Sequence, residues 1–285
     1  MKKALVLEGG GSRGVYTAGV LEVLHKENFG FNYIIGTSMG ACNGASYVSN
    51  QPTRNKRVIV DYINDERYFN YSGFLRSDVS IFGMDFLFDT IPNELDPFDY
   101  EAFIKNPVEF KAVATDLQTG RPTYFSKDDM SNKNEIMKMI KASSSLPGFT
   151  SPVSFKGRKF LDGGVTDSVP VQKALADKAD KIIVVLTRDA SYRKKPLKGK
   201  WLQKLKFGDY PNFLEALLNR HNEYNETLDL IEFLEKQKKI VVIRPSQEIN
   251  IGKFEKNVET FNKIFEMGKE DAEKKIMEIK NYLIG

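Results

Sequence analysis

Tyr33-Ile34-Ile35-Gly36-Thr37-Ser38-Met39-Gly40-Ala41-Cys42 reads as an apolar strand, a tight turn and the start of a small-residue helix. The turn matches Gly-x-Ser-x-Gly. In a strand–turn–helix context this pattern forces the serine into a strained conformation with its hydroxyl presented outward, and the glycines at 36 and 40 remove side chains that would clash. Ala41, Gly44, Ala45 and Ser46 then let the following helix, predicted over Ala41–Val48, approach a sheet closely. Ser38 is therefore a candidate nucleophile; the alternative is a purely structural turn.

The same grammar appears upstream. Ala4–Glu8 reads as a buried strand, Gly9-Gly10-Gly11-Ser12-Arg13-Gly14 as a turn, and Val15–Lys26 as a helix with Val15, Ala18, Leu21 and Leu24 at helical spacing. The loop matches Gly-x-Gly-x-x-Gly, yet the next strand ends in Gly36-Thr37-Ser38 rather than the acid a dinucleotide ribose needs. Val15-Tyr16 stand where a Walker phosphate loop requires Lys-Ser/Thr. A third reading uses the exposed backbone N–H groups beside a helix N-terminus to hold an oxyanion. A tight turn with no ligand is the fourth.

Farther along, Glu109–Asp116 is a third strand, joined through Thr119-Gly120 to Pro122–Phe125. Asn134–Ser143 reads as a helix, and Ser154–Phe160 as a hairpin turning at Lys156-Gly157 and delivering Asp162-Gly163-Gly164. Lys181–Thr187 and Ile240–Arg244 are further strands, and Phe254–Leu283 is a closing amphipathic helix. Short apolar runs alternating with helix-period stretches indicate parallel βαβ units. The expected fold is α/β, a single domain over 1–285: a central, mostly parallel sheet flanked by helices, a helical insertion at 52–106 after the helix that follows Ser38, and C-terminal helices plus the last strand at 200–285.

Composition narrows the chemistry. The 285 residues are 41% hydrophobic and 28% charged, ordinary for a globular protein, and a formal charge of +4 is too mild to suggest nucleic acid. One cysteine, Cys42, excludes an intrachain disulfide and multi-cysteine metal sites, and reads as a buried spacer. The histidines, His25 and His221, are too far apart for a His-Glu-x-x-His-type zinc site, so neither metal nor cofactor is expected. The apolar run Ala4–Leu7 is too short for a secretory signal and no run approaches a membrane span, which points to a soluble, cytoplasmic protein.

A serine needs a base. His25 precedes Ser38 inside the first helix, and His221 sits on a long helical face with Leu217, Leu218 and Tyr224, so a histidine triad is disfavoured. Asp162, at a strand end and followed by two glycines, is the preferred carboxylate; Asp116 is its rival. Either acts as base only with a pKa raised by burial or within a tight hydrogen bond to the serine.

Together GGGSRG at 9–14, GTSMG at 36–40, ASSSLP at 142–147 and DGG at 162–164 resemble the patatin-like phospholipase family, over Leu5 to about Pro170, with the whole chain similar to its bacterial cytoplasmic members. The resemblance implies a Ser–Asp dyad that hydrolyses lipid acyl esters without a cofactor. Ser38 matches the nucleophile, Asp162 the base, Gly9, Gly10 and Gly11 the oxyanion loop, and Arg13 its basic position. Gly164 stands where the family often has alanine. Phospholipid or lysophospholipid hydrolysis is the expected activity; a short-chain carboxylesterase, a nucleotide-binding module using the loop, and a lipid-binding protein with a vestigial dyad are the alternatives.

Two stretches bear on the substrate. Ten aromatics between Tyr68 and Phe103, Tyr71 and Phe74 among them, line an acyl groove, form a lid, or pack the insertion's own core. From Arg188 to Phe207 eight basic residues face one acid, Asp189, with Trp201 interleaved. That stretch is either a solvated loop leading into a surface helix or a transient contact for an anionic membrane, worth about 1 kcal/mol per basic residue near the surface.

Overall fold

Strand β1 (Lys3–Leu7) runs through the middle of the molecule, with Ala4 to Leu7 completely buried on both faces. Such a continuous apolar run suits a parallel strand covered by helices on each side. Its side chains alternate: Leu5 and Leu7 enter one core, Ala4 and Val6 the other. The computed structural model describes residues 1–69, 80–130, 132–252 and 254–284.

In chain order the elements are β1, α1 (Gly14–Glu27), β2 (Tyr33–Thr37), α2 (Met39–Val48), α3 (Arg54–Tyr62), α4 (Tyr100–Lys105), β3 (Glu109–Asp116), β4 (Pro122–Ser126), α5 (Lys133–Ser143), β5 (Val153–Phe155), β6 (Arg158–Asp162), α6 (Val171–Ala176), β7 (Lys181–Val185), α7 (Lys200–Phe207), α8 (Pro211–Lys236), β8 (Val241–Ile243) and α9 (Val258–Ile284). A π-helical stretch, Phe86–Leu95, lies between α3 and α4 and contains Pro92, whose missing N–H suits a widened turn.

The sheet has the order β5-β6-β3-β2-β1-β7-β8, with β4 also on β3. Pairings among β3, β2, β1, β7 and β8 are parallel; β4, β5 and β6 join antiparallel. The expected α/β architecture is present, and strands from both ends of the chain share one sheet.

The register of β3 sets where two strand ends meet. Residues Glu109–Val113 of β3 pair with β2, and Ala114–Asp116 pair with β6, while β4 spans Lys111–Thr115. Because β4 overlaps both, β2 and β6 occupy the same edge of β3, end to end. The end of β2 (Thr37 opposite Val113) therefore meets the end of β6 (Asp162 opposite Ala114) at consecutive β3 residues.

Helices α1, α2, α3, α5 and α9 cover one face, and α6 and α8 the other. The α1–α9 contact is backbone on backbone. A Cβ on Gly19 would lie 2.1 Å from the Phe265 carbonyl oxygen, and one on Gly268 2.2 Å from that of Tyr16. Element limits differ from the sequence reading in two informative places. Helix α2 starts at Met39, directly after the turn, rather than at Ala41. Helix α9 starts at Val258, because Phe254 instead packs its ring against Phe69 and Phe82, with centroids 5.6 and 5.9 Å away.

Candidate active site

Ser38 sits between β2 and α2 with φ 55° and ψ −125°, a left-handed conformation that costs a non-glycine residue on the order of 1–3 kcal/mol. The surroundings hold it there. Its carbonyl accepts the N–H groups of Ala41 and Cys42 at 2.9 and 3.1 Å, and its own N–H donates to Ser143 Oγ at 2.9 Å. Ser143 Oγ donates in turn to the Val113 carbonyl at 2.5 Å, tying the turn to β3. A Cβ on Gly36 would fall 2.5 Å from the Gly40 carbonyl, and one on Gly40 2.5 Å from that of Leu7. Both glycines are thus required by close packing, as the motif implies.

The end-to-end meeting of β2 and β6 delivers Asp162 to this serine. Ser38 Oγ donates to Asp162 Oδ2 at 2.7 Å, while Asp162 Oδ1 accepts the Gly164 N–H at 2.7 Å. The backbone of Asp162 is fixed as well: its N–H donates to the Ser145 carbonyl at 2.7 Å, and its carbonyl accepts Thr115 Oγ1 at 2.9 Å. Gly163 is obligatory, since a Cβ there would lie 2.2 Å from the Val113 carbonyl oxygen. Asp162 is 2% exposed. Burial pushes its carboxyl above the ordinary carboxylate range, against the opposing pull of the Ser38 hydroxyl, the Arg220 charge, the Gly164 amide and Lys194.

The rival residues are engaged elsewhere. Burial alone would raise Asp116, but hydrogen bonds from Thr119 and the ion pair with Arg158 Nε at 2.7 Å outweigh it and hold the group below its usual range. His221 places Nδ1 3.1 Å from the Leu218 carbonyl one turn back, and the His25 ring packs edge-on against Tyr47.

The glycine loop crosses directly above the elbow. A Cβ on Gly9 would come within 3.1 Å of the Thr37 carbonyl oxygen and 3.2 Å of Ser38 Cβ; one on Gly10 would strike the Thr187 side chain at 2.8 Å. The Gly9 N–H donates to the Ser168 carbonyl at 3.0 Å, so Gly9 departs from the donor role expected of it and serves close approach instead. The N–H groups of Gly10 and Gly11 have no protein acceptor among the described residues. Gly11 adopts φ 52° with open space around it. Glu8, just before the loop, is buried, and accepts the Thr187 N–H at 2.5 Å and the Tyr224 hydroxyl at 2.6 Å.

Ser38, Asp162 and the loop line a cavity of about 340 Å³. Its apolar wall, including Ile59, Ile63, Tyr68 and Phe69, belongs to the core on one face of the sheet; Tyr224 belongs to the core on the other. The cavity therefore crosses the strand ends from face to face. The aromatic segment divides between the roles foreseen for it. Tyr68, Phe69, Phe82 and Phe88 line the cavity, whereas Phe98 and Phe103 pack inward toward Phe110. Tyr71 and Phe74 lie outside the described residues. Cys42 is not a simple buried spacer: it lines the cavity beside Ser144, with its thiol pushed up to about 11 chiefly by burial. Sequence reasoning missed Ser143 and Ser145 as braces, and Arg188, Lys194 and Arg220 as cavity residues. The serine run was visible within ASSSLP; the cations belong to no motif.

Comparison with known proteins gives two family matches. A model described as patatin-like phospholipase matches residues 5–175, and one described as a domain of unknown function matches 210–284. The chain is 30% identical over 246 residues to the uncharacterized protein YjjU of Escherichia coli, covering 82% of this chain and 64% of that one. It is 27% identical over 190 residues to the uncharacterized NTE family protein Mb1092c of Mycobacterium bovis, covering 64% and 48%. To the lysophospholipase nte1 of Aspergillus terreus it is 28% identical over 190 residues, 64% of this chain and 12% of that one. The chain thus spans less than two thirds of the length of these relatives.

Proposed function

The chain belongs to the patatin-like phospholipase family, and from that premise we propose that it is a serine acyl hydrolase of lipid esters working through Ser38 and Asp162. The observation that carries the reading is the 2.7 Å hydrogen bond from Ser38 Oγ to a buried carboxylate of raised pKa, beneath two uncommitted glycine amides. Ser38 Oγ attacks the ester carbonyl carbon as its proton passes to Asp162 Oδ2. The N–H groups of Gly10 and Gly11 receive the oxyanion, each such donor contributing ~10²–10³ in rate in comparable acyl-transfer sites. Collapse expels the alcohol, which takes the proton from Asp162 and leaves an acyl-Ser38 ester. Asp162 then deprotonates a water that attacks this ester, and the proton returns to Ser38 Oγ.

The apolar wall suits an acyl chain, so the substrates are phospholipids or lysophospholipids rather than short soluble esters. Residues 1–285 work as one domain in this reading, with 52–106 as an insertion that supplies part of the acyl wall and α8 closing the other side. Among the described residues no helix is long and apolar enough to cross a membrane. Contact with lipid is instead peripheral, through α7, where Trp201, Leu202 and Leu205 are exposed among lysines.

Hydrolysis of lysophospholipids and of p-nitrophenyl esters of increasing chain length tests the reading. Turnover should rise with chain length and fall by ~10⁴-fold in Ser38→Ala. Retained activity in Ser38→Ala contradicts it, and a preference for acetate over long chains points to the carboxylesterase alternative.

A further inference from the structure

Four cationic side chains converge on the cavity beside Ser38: Arg13 at the end of the glycine loop, Arg188 and Lys194 on the segment after β7, and Arg220 on α8. All are partly buried. Arg13 Nε and Arg220 Nε are shielded from solvent and have no hydrogen-bond acceptor among the described residues, an arrangement that costs free energy unless a ligand fills it. None of the four forms an ion pair among the described residues. The contrast with Arg193 is direct, since it pairs with Glu232 at 2.7 Å and Asp229 at 3.4 Å.

The cluster is built rather than incidental. Lys194 Nζ lies 4.2 Å from the centre of the Tyr224 ring, and the Arg188 guanidinium 4.1 Å from that of Tyr192; cation–π attraction holds both in place. The backbone of Lys194 is clamped to α8 by two hydrogen bonds with the Asn225 amide, at 2.8 and 3.0 Å. Arg220 packs over the Asp-Gly-Gly turn so closely that a Cβ on Gly164 would lie 3.0 Å from its Nη2. The cations repel one another. Lys194 is pushed down to about 7, first by burial and then by Arg220, with Arg13 and Arg188 adding to it and Glu8 opposing. They outnumber the two cavity carboxylates, Glu8 and Asp162, and both of those are already occupied by hydrogen bonds. Partly desolvated, self-repelling cations lacking acceptors are poised for an anion with several oxygens.

We propose that Arg13, Arg188, Lys194 and Arg220 form a subsite for the phosphate of an anionic glycerophospholipid whose acyl ester lies at Ser38. The assignment rests on the hydrolase reading and adds a substrate class to it. It fits the bipolar cavity: the acyl chain lies against the wall from one face of the sheet, the phosphate meets cations backed by the other, and the ester, a few bonds from the phosphate, falls at the strand ends between them.

The test compares kcat/KM for a 1-acyl-glycerol-3-phosphate with that for the neutral monoacylglycerol of the same chain, in wild type, Arg188→Gln, Lys194→Gln and the double variant. The ratio should fall about tenfold for each substitution and about 100-fold for both, through KM on the phosphate substrate. An unchanged ratio, or equal loss on both substrates, overturns the subsite and leaves the hydrolase reading standing. Equilibrium binding of the same two lipids to Ser38→Ala protein reads the subsite without turnover. The same charge dependence there, in a chain whose wild type hydrolyses nothing, keeps the subsite and removes the hydrolase. Inorganic phosphate binding as tightly as the phospholipid assigns the cluster to a free anion and overturns the headgroup role.

Discussion

Asp162 is held between opposing demands. As the proposed base it must be ionised before it accepts a proton, yet burial favours its neutral form, and the Ser38 hydroxyl, the Arg220 charge, the Gly164 amide and the Lys194 charge pull it back. The sign of the pH dependence is then fixed. As pH falls through its raised pKa the carboxylate is protonated and activity is lost, so the acid limb of kcat/KM on a neutral ester should lie above the ordinary aspartate value of ~3.9. Removing a cation that favours the ionised form should move that limb to still higher pH, and Arg220→Gln is the variant to measure. A limb that stays put, or moves to lower pH, would mean that another group titrates. A neutral ester is needed because Lys194, at about 7, loses its charge on the alkaline side and would alter binding of an anionic substrate. At this scale the sequence was most informative. Ser38 and Asp162 were readable because elbow and Asp-Gly-Gly turn each carry glycines that steric crowding demands. The engagement of the Gly9 amide is not legible in the sequence, because its acceptor, the Ser168 carbonyl, lies on a loop that no local pattern connects to it.

Among the elements, β3 brings Ser38 and Asp162 together. Its consecutive residues Val113 and Ala114 receive the ends of β2 and β6, and the Val113 carbonyl accepts the Ser143 hydroxyl that braces the elbow. The strand itself was legible as an apolar run; its three partners were not, because pairing registers are set by tertiary packing rather than by the strand's own residues. The α1–α9 contact makes a separate claim about stability. Each helix presents a glycine to the other's backbone, Gly19 toward Phe265 and Gly268 toward Tyr16, so a methyl group at either position has no flexible side chain to displace. Gly268→Ala should therefore destabilise by at least about 2 kcal/mol, near the upper end of ordinary overpacking, as read by denaturant unfolding. An unchanged midpoint would show that the helices separate at no cost.

Taken whole, the molecule sets an apolar wall and a cationic wall on either side of its strand ends, and only folding brings them together. Arg13, Arg188, Lys194 and Arg220 are spread over nearly three quarters of the chain, so no single stretch of sequence contains all four. The basic stretch proved to be two things. Arg188 and Lys194 turn inward to the cavity, while α7 carries its lysines and exposed Trp201 (68%) and Leu205 (80%) outward. Trp201→Ser with Leu205→Ser should reduce co-sedimentation with phosphatidylglycerol vesicles several-fold; equal binding by wild type and variant would remove α7 as the contact. Whether Ser38 is the activated nucleophile is read from intact mass after fluorophosphonate treatment. One adduct is expected on wild type and on His221→Ala, none on Ser38→Ala, and labelling ~10²-fold slower or more in Asp162→Asn. Labelling of Ser38→Ala at the wild-type rate, or its loss in His221→Ala with Asp162→Asn unaffected, would contradict the Ser38–Asp162 dyad.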